Sequence, residues 1–296
     1  MPDTAVLDTT IHHEEGGDPS GMPVVFLHGN PTSSHAWRNV TPHVGPRVRT
    51  LAPDLVGMGR SARPAAPFRF VDQARALDAW FAALGLDEVV LVGHDWGGAL
   101  ALDHAARHPH RVRGVAVMET ILRPYTWADF PGPARPRYEA LRGPAGEHKV
   151  LDENFFIEVA LRATVLSGLS DDDLAAYGRP YPTRDSRRAL LVWPREMPIE
   201  GEPADVVARV EAYDAWMATS PDVPKLLLTF DGPSETLMIG PDQVDWARRK
   251  VTGLDVVGCG RAAHVVQEDQ PAAIAAAVSS WLDRHALRTP ATTTVS

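Results

Sequence analysis

The pentapeptide Gly93-His94-Asp95-Trp96-Gly97 constrains this chain more than any other feature. Residues 88–92, Glu-Val-Val-Leu-Val, read as a short buried strand, and residues 98–107 read as a helix. Strand, Gly-x-nucleophile-x-Gly and helix together form a sharp turn that lifts one side chain above a parallel sheet. Most such turns carry Ser or Cys, which attack acyl carbons. Here the central residue is Asp95. A carboxylate is a weaker nucleophile, suited to displacing a leaving group from an sp3 carbon, and it leaves an alkyl ester on the protein.

The rest of the chain fits an α/β fold around that turn. Residues 24–27, 48–52 and 112–118 are compact β runs, and residues 70–84 carry apolar side chains at helical spacing. Strands alternating with helices imply a mostly parallel sheet flanked on both faces. The rhythm changes after Ile121. From there to Asp214 the chain is rich in Pro, Trp and charge. It has helix-like pieces at 153–166 and 170–177, with Ser170 as a cap, and no strand-like run. This predicts a helical cap over 122–214 inserted into a core of residues 1–121 and 215–296. The 296-residue length suits one domain with such an insertion. The core resumes with a strand at 225–230, a helix at 241–250 and a last strand at 253–257. A loop at 258–263, a closing helix at 271–287 and a polar, mobile tail at 288–296 complete it.

Composition removes several functional classes. A net charge of -9 argues against nucleic acid, because phosphate binding needs a basic face. Cys259 is the sole cysteine, so no intramolecular disulfide forms and a reducing compartment is allowed. The N-terminus lacks a basic start and an apolar stretch, and no apolar run is long enough to span a bilayer. The expectation is a cytoplasmic protein with no membrane partner.

Five residues, Asn30, Asp95, Trp96, Glu119 and His264, each follow the end of an expected strand. Reacting groups gather there in open α/β sheets. The order nucleophile, acid, late histidine is that of the hydrolases. His264 fits a general base, since an imidazole titrating near neutrality takes a proton from the water that must hydrolyse the ester. Two acids compete to orient it. Glu119 ends the strand 112–118, and Glu235 lies in the loop after the next strand; spacing leaves both open. Asn30 and Trp96 carry neutral N–H donors, able to hold a departing halide. Their plainer roles are a turn before Pro31 and packing under the cap.

Taken jointly, these residues resemble the haloalkane dehalogenases of the α/β-hydrolase superfamily, over about residues 23–287. The matching segments are His28-Gly29-Asn30-Pro31-Thr32-Ser33-Ser34, Pro53-Asp54-Leu55-Val56-Gly57-Met58-Gly59, His94-Asp95-Trp96-Gly97 and Met118-Glu119. Trp193-Pro194-Arg195-Glu196-Met197-Pro198-Ile199 and His264-Val265-Val266-Gln267-Glu268-Asp269 match too. The resemblance implies an α/β-hydrolase fold with a helical cap. It also implies Asp95, His264 and Glu119 as catalytic residues, with Asn30 and Trp96 on the halide. It implies a small haloalkane substrate, a chloride or bromide product, no cofactor or metal, and a monomer or homodimer. Phe156, Trp127, Phe130 and Leu237 are expected pocket walls. Three departures stand out: Glu235 as a rival acid, Arg162 where relatives often have Pro, and Arg261 where relatives are mostly small or apolar. Epoxide hydrolases with an Asp nucleophile are the main competing resemblance. They need acidic donors from the cap, for which Tyr125, Tyr138, Tyr177 and Tyr181 are available. Coelenterazine-type luciferases and a non-catalytic ligand-binding member of the superfamily are further alternatives.

Overall fold

The run Val24-Val25-Phe26-Leu27 sends alternate side chains to opposite faces of a sheet, and both faces are dry. Val24 and Phe26 join Val90, Val92, Ala116, Met118, Leu226 and Leu228 in one core. Val25 and Leu27 join Leu51, Leu91, Val115, Val117 and Leu227 in another. A strand buried on both sides reads as continuous apolar sequence, the signature of a covered parallel sheet. The structure, a computed structural model, describes residues 3–65, 67–130 and 134–289.

Eight strands form one sheet in the order β1-β2-β4-β3-β5-β6-β7-β8. They are β1 (Asp3–Val6), β2 (Thr9–Gly17), β3 (Met22–Leu27), β4 (Val48–Pro53), β5 (Val89–His94), β6 (Val112–Met118), β7 (Lys225–Asp231) and β8 (Leu254–Arg261). From β4 to β8 the pairing is parallel, while β1 and β2 form an antiparallel edge. Helices α1 (Phe70–Ala83) and α2 (Trp96–Arg107) contribute to the core that contains Val25 and Leu27. On the other face lies the closing helix (Pro271–Arg284), through Ile274, Val278 and Trp281. Between β7 and β8 runs a further helix (Pro241–Lys250). The mostly parallel, helix-flanked sheet agrees with the sequence.

Three local features differ from the sequence reading. The edge pair β1 and β2 carries charge and glycine in Thr-Thr-Ile-His-His-Glu-Glu-Gly-Gly and gave no clear strand signal. Residues 258–261, expected as loop, continue β8, and Arg261 registers opposite Asp231. Gly258, Cys259 and Gly260 look like loop in sequence, yet pairing with β7 overrides their weak propensity. Arg288 is no part of a loose tail: it is buried, bonds Asp283 and Ser279, and donates to the carbonyls of Val44 and Pro46. The remainder of that expected tail, residues 290–296, lies outside the described residues.

Between β6 and β7 the described residues form no strand, only the bridges Tyr125–Ile199 and Ile199–Glu202. Four helices of eight or more residues occur there: α3 (Ala134–Arg142), α4 (Asp171–Gly178), α5 (Arg188–Glu196) and α6 (Ala204–Thr219). Ser170 caps α4 as expected, its hydroxyl accepting from Asp173 N–H at 3.1 Å. Where a helix was expected over 153–166, the chain makes a wide π-type turn at Phe156–Ala160 and a short helical turn at Leu161–Ala163. The expected boundary at 214 and 215 falls inside α6. That helix packs on α2, and Arg209 on it pairs with the buried Asp103 at 3.0 Å. Helix α5 docks on the start of α1, where Glu196 accepts from Phe70 N–H at 2.9 Å and pairs with Arg69 at 3.0 Å.

Candidate active site

Asp95 sits at the tip of the turn between β5 and α2 with φ 52° and ψ -128°. A non-glycine residue rarely adopts a positive φ, and such strain collects at functional turns. The surrounding contacts hold it there. Thr120 Oγ1 donates to the Asp95 carbonyl at 2.6 Å, and Asp95 N–H donates to Met118 O at 3.3 Å. The glycines at the ends of the pentapeptide permit close approach. A Cβ on Gly97 would lie 2.2 Å from Leu27 O, and one on Gly93 would lie 2.5 Å from the Gly98 Cα.

The loop after β3 lies against this tip. Asn30 N–H donates to Asp95 Oδ2 at 2.8 Å. The Trp96 indole is gripped between Phe70 of α1, 5.8 Å away between ring centres, and Trp193 of α5, 4.9 Å away. No hydrogen bond among the described residues occupies the Asn30 side-chain amide or the Trp96 indole N–H, and both residues line the cavity described below. Two uncommitted donors beside a carboxylate are suited to an anion that appears only during reaction.

Glu119, at the end of β6, is fully buried and has φ 45°. Its Oε2 accepts from Met238 N–H at 2.7 Å and its Oε1 from Ile239 N–H at 3.3 Å. His264 Nδ1 stands 3.4 Å from Glu119 Oε2, and its Nε2 stands 3.7 Å from Asp95 Oδ1. The imidazole therefore bridges the two carboxylates. Burial opposes a charge on His264. Hydrogen bonds and charge from Asp95 and Glu119 outweigh burial and raise its pKa to about 9. Glu235 is exposed at the rim, where among the described residues only its main-chain carbonyl is engaged, accepting from Arg137 at 3.2 Å. The loop after β7 thus brings main-chain N–H groups, rather than the Glu235 carboxylate, to the histidine's partner.

Behind His264 lies His94, which the sequence reading left without a role. Its Nε2 donates to His264 O at 2.7 Å. Burial first, and the neighbouring His264 second, lower its pKa to about 3, so this ring remains a neutral donor.

These groups face a cavity of about 160 Å³. Phe130, Phe156 and Leu237 line it as expected. Trp127 does not; it packs behind Phe130 at 5.6 Å between ring centres. Phe155, Leu141 and Met197 add apolar wall, while Tyr125, Tyr138, Asp129 and Arg137 give it a polar part. Burial raises the Tyr138 pKa to about 12, and the Asp95 charge adds to this. Arg162 is exposed and faces a different, outer cleft with Arg179 and Arg187.

Comparison with known proteins places the chain. Residues 22–196 match the family model described as the alpha/beta hydrolase fold. A haloalkane dehalogenase of Mesorhizobium japonicum is 47% identical over 284 residues, covering 94% of this chain and 89% of that protein. One from Sphingobium indicum is 42% identical over 271 residues, covering 90% of each. Among solved structures, haloalkane dehalogenase DbeA from Bradyrhizobium elkani superposes with a TM-score of 0.92 at 41% identity, covering 96% of this chain and 98% of that one. Haloalkane dehalogenase DatA from Agrobacterium tumefaciens C58 gives a TM-score of 0.89 at 40% identity, covering 96% of both chains.

Proposed function

The chain belongs to the haloalkane dehalogenase family of the α/β hydrolases, and from that premise we propose that Asp95, His264 and Glu119 carry out hydrolytic dehalogenation while Asn30 and Trp96 hold the halide. The observation that carries the reading is His264 bridging a strained nucleophilic carboxylate and a buried orienting one, at 3.7 and 3.4 Å.

The steps follow from which oxygen is already engaged. Asn30 N–H holds Asp95 Oδ2, which stays behind as the carbonyl oxygen. Oδ1 attacks the halogen-bearing carbon in line, the carbon–halogen bond breaks, and the halide leaves toward the Asn30 amide and the Trp96 indole N–H. While Asp95 is a carboxylate, His264 keeps its proton. Alkylation converts Asp95 into a neutral ester and removes its influence, leaving Glu119 alone against burial. His264 then releases its proton to solvent, the proton that accompanies the halide, and can act as a base. It takes a proton from water, and the hydroxide adds to the Asp95 carboxyl carbon. The oxyanion develops on Oδ2 beside Asn30 N–H. Collapse expels the alkoxide, which carries an oxygen of Asp95 and takes the proton of the added hydroxyl to leave as an alcohol; Asp95 is again a carboxylate, and His264 keeps the proton it took from water. The main-chain donors of Met238 and Ile239 hold Glu119 in place throughout.

In this reading residues 122–203 form the cap, and α6 belongs with the core it packs on. Aromatic and aliphatic walls select short, apolar haloalkanes. All five residues come from one chain, so neither a monomer nor a homodimer is disfavoured. The net charge of -9 fits the absence of a nucleic-acid partner. No helix among the described residues is long and apolar enough to cross a membrane, and the lone buried Cys259 suits the cytoplasm.

The test is His264→Phe soaked with 1,2-dibromoethane. One bromide is released per protein, turnover stops, and mass spectrometry finds a bromoethyl group on Asp95. Absence of halide release by the wild type across a broad haloalkane panel sinks the reading. Tyr125 and Tyr138, which line the same cavity as Asp95, favour a second reading, the opening of epoxides with a phenol protonating the alkoxide. Diol formation from styrene oxide without halide release would select it.

A further inference from the structure

We propose that Asp269 is a positioning residue that seats His264 and ties it to residues 164–167 of the inserted segment; this rests on His264 being the base. Asp269 ends the single helical turn Val266–Asp269, just after the histidine. Its carboxylate gathers three main-chain donors from two separate parts of the chain. Oδ2 accepts from Ala263 N–H at 2.9 Å and from Leu166 N–H at 3.1 Å, and Oδ1 accepts from Ser167 N–H at 2.7 Å.

The backbone around the imidazole is held at three successive residues. Ala263 N–H is bound by Asp269, His264 O by His94, and Val265 N–H by Thr164 O at 3.0 Å. Two of these three anchors also engage residues 164–167, which come from the segment between β6 and β7. Thr164 lines the cavity as well. The neighbouring Glu268 fixes the turn independently: it accepts from Arg38 at 2.6 and 2.9 Å and from the Tyr177 hydroxyl.

The residue type matters here. A carboxylate offers about four lone-pair sites, and its hydrogen bonds from N–H are roughly twice as strong as neutral ones. An amide has one acceptor oxygen and cannot satisfy three converging donors. The two distances that define the base, 3.4 Å to Glu119 and 3.7 Å to Asp95, are therefore set in part by a side chain that touches neither partner. A displacement of about 1 Å at such a site can cost on the order of 10²-fold in rate. Asp269 has no hydrogen bond to Asp95, Asn30 or Trp96, so its loss strikes the attack of water and spares the alkylation.

The experiment compares wild type, Asp269→Asn and Asp269→Ala with 1,2-dibromoethane. Asn keeps the volume and one acceptor, so it carries the test if the alanine protein does not fold. The expected result has three parts. A burst of about one bromide per protein precedes turnover slowed on the order of 10²-fold. KM falls together with kcat, and a bromoethyl adduct accumulates on Asp95. Without substrate, the His264 ring protons shift in the NMR spectrum. Wild-type kcat in both variants overturns the proposal, and so does a loss of kcat with equally slow alkylation and no adduct. If the wild type itself releases no bromide, the dehalogenase reading fails. The His264 resonances still decide the role of Asp269, and unmoved resonances overturn it.

Discussion

The strand-end loops and the segment between β6 and β7 face each other across one cavity but hold their side chains by different means. On the sheet side, the charged groups are fixed by main-chain donors: Asn30 N–H on Asp95, and Met238 and Ile239 N–H on Glu119. On the other side, Phe155, Phe156 and Leu141 are placed by packing alone. Backbone donors are indifferent to residue type, so the sheet side tolerates change around its carboxylates while keeping their geometry. Packed walls change shape with every substitution. Reaction chemistry and substrate choice are thus written in two separable kinds of contact.

The largest effect should come from the sheet side. Asp95→Asn removes the nucleophile with almost no change in shape, and halide release should fall on the order of 10⁶-fold. A loss below tenfold would mean another group attacks. Glu119→Gln keeps two of the carboxyl contacts but loses the charge that orients His264. Turnover should drop about 10³- to 10⁴-fold with alkylated protein accumulating, while Glu235→Gln stays within about twofold. The reverse pattern would transfer the acid role to the rim.

Wall substitutions should be gentler and selective. Phe156→Ala widens the cavity and should lower kcat/KM for short haloalkanes by about tenfold, with less loss for longer ones. A uniform loss across chain lengths would blur the contrast between the two sides. The smallest effect is on stability against pH. The folded protein holds the His264 proton more tightly than the unfolded chain does, with a pKa of about 9 against an ordinary 6.5. That contribution is complete below pH 6.5 and is lost as pH rises through about 9. Melting temperature should decline over that window in the wild type and decline less in His264→Phe.

Much of this was legible in the sequence. Asp95, Trp96, Asn30, Glu119 and His264 could be picked out because each chemistry demands a residue type at a strand end. The buried parallel strands were legible because apolar runs have few other uses. The Glu119 clamp was not, because Met238 and Ile239 contribute N–H groups that every residue but proline possesses. Spacing alone left Glu119 and Glu235 open. Family resemblance favoured Glu119, and Glu119 Oε2 lies 3.4 Å from His264 Nδ1. The π-type turn at Phe156–Ala160 was hidden as well, since its composition is that of an ordinary helix. The expected boundary at 214 and 215 cuts α6, whose sequence gives no sign of which neighbour it packs on.

The clamp on Glu119 has a consequence beyond orientation. Glu119 stands three residues before the proposed cap begins at Leu122, and Met238 and Ile239 stand in the first loop after the chain has returned through β7. Those two hydrogen bonds act as a suture across the point where the intervening segment departs and rejoins. A lineage could lengthen, shorten or exchange that segment as a cassette without unseating the acid, so new substrate ranges can evolve on an unchanged reaction centre.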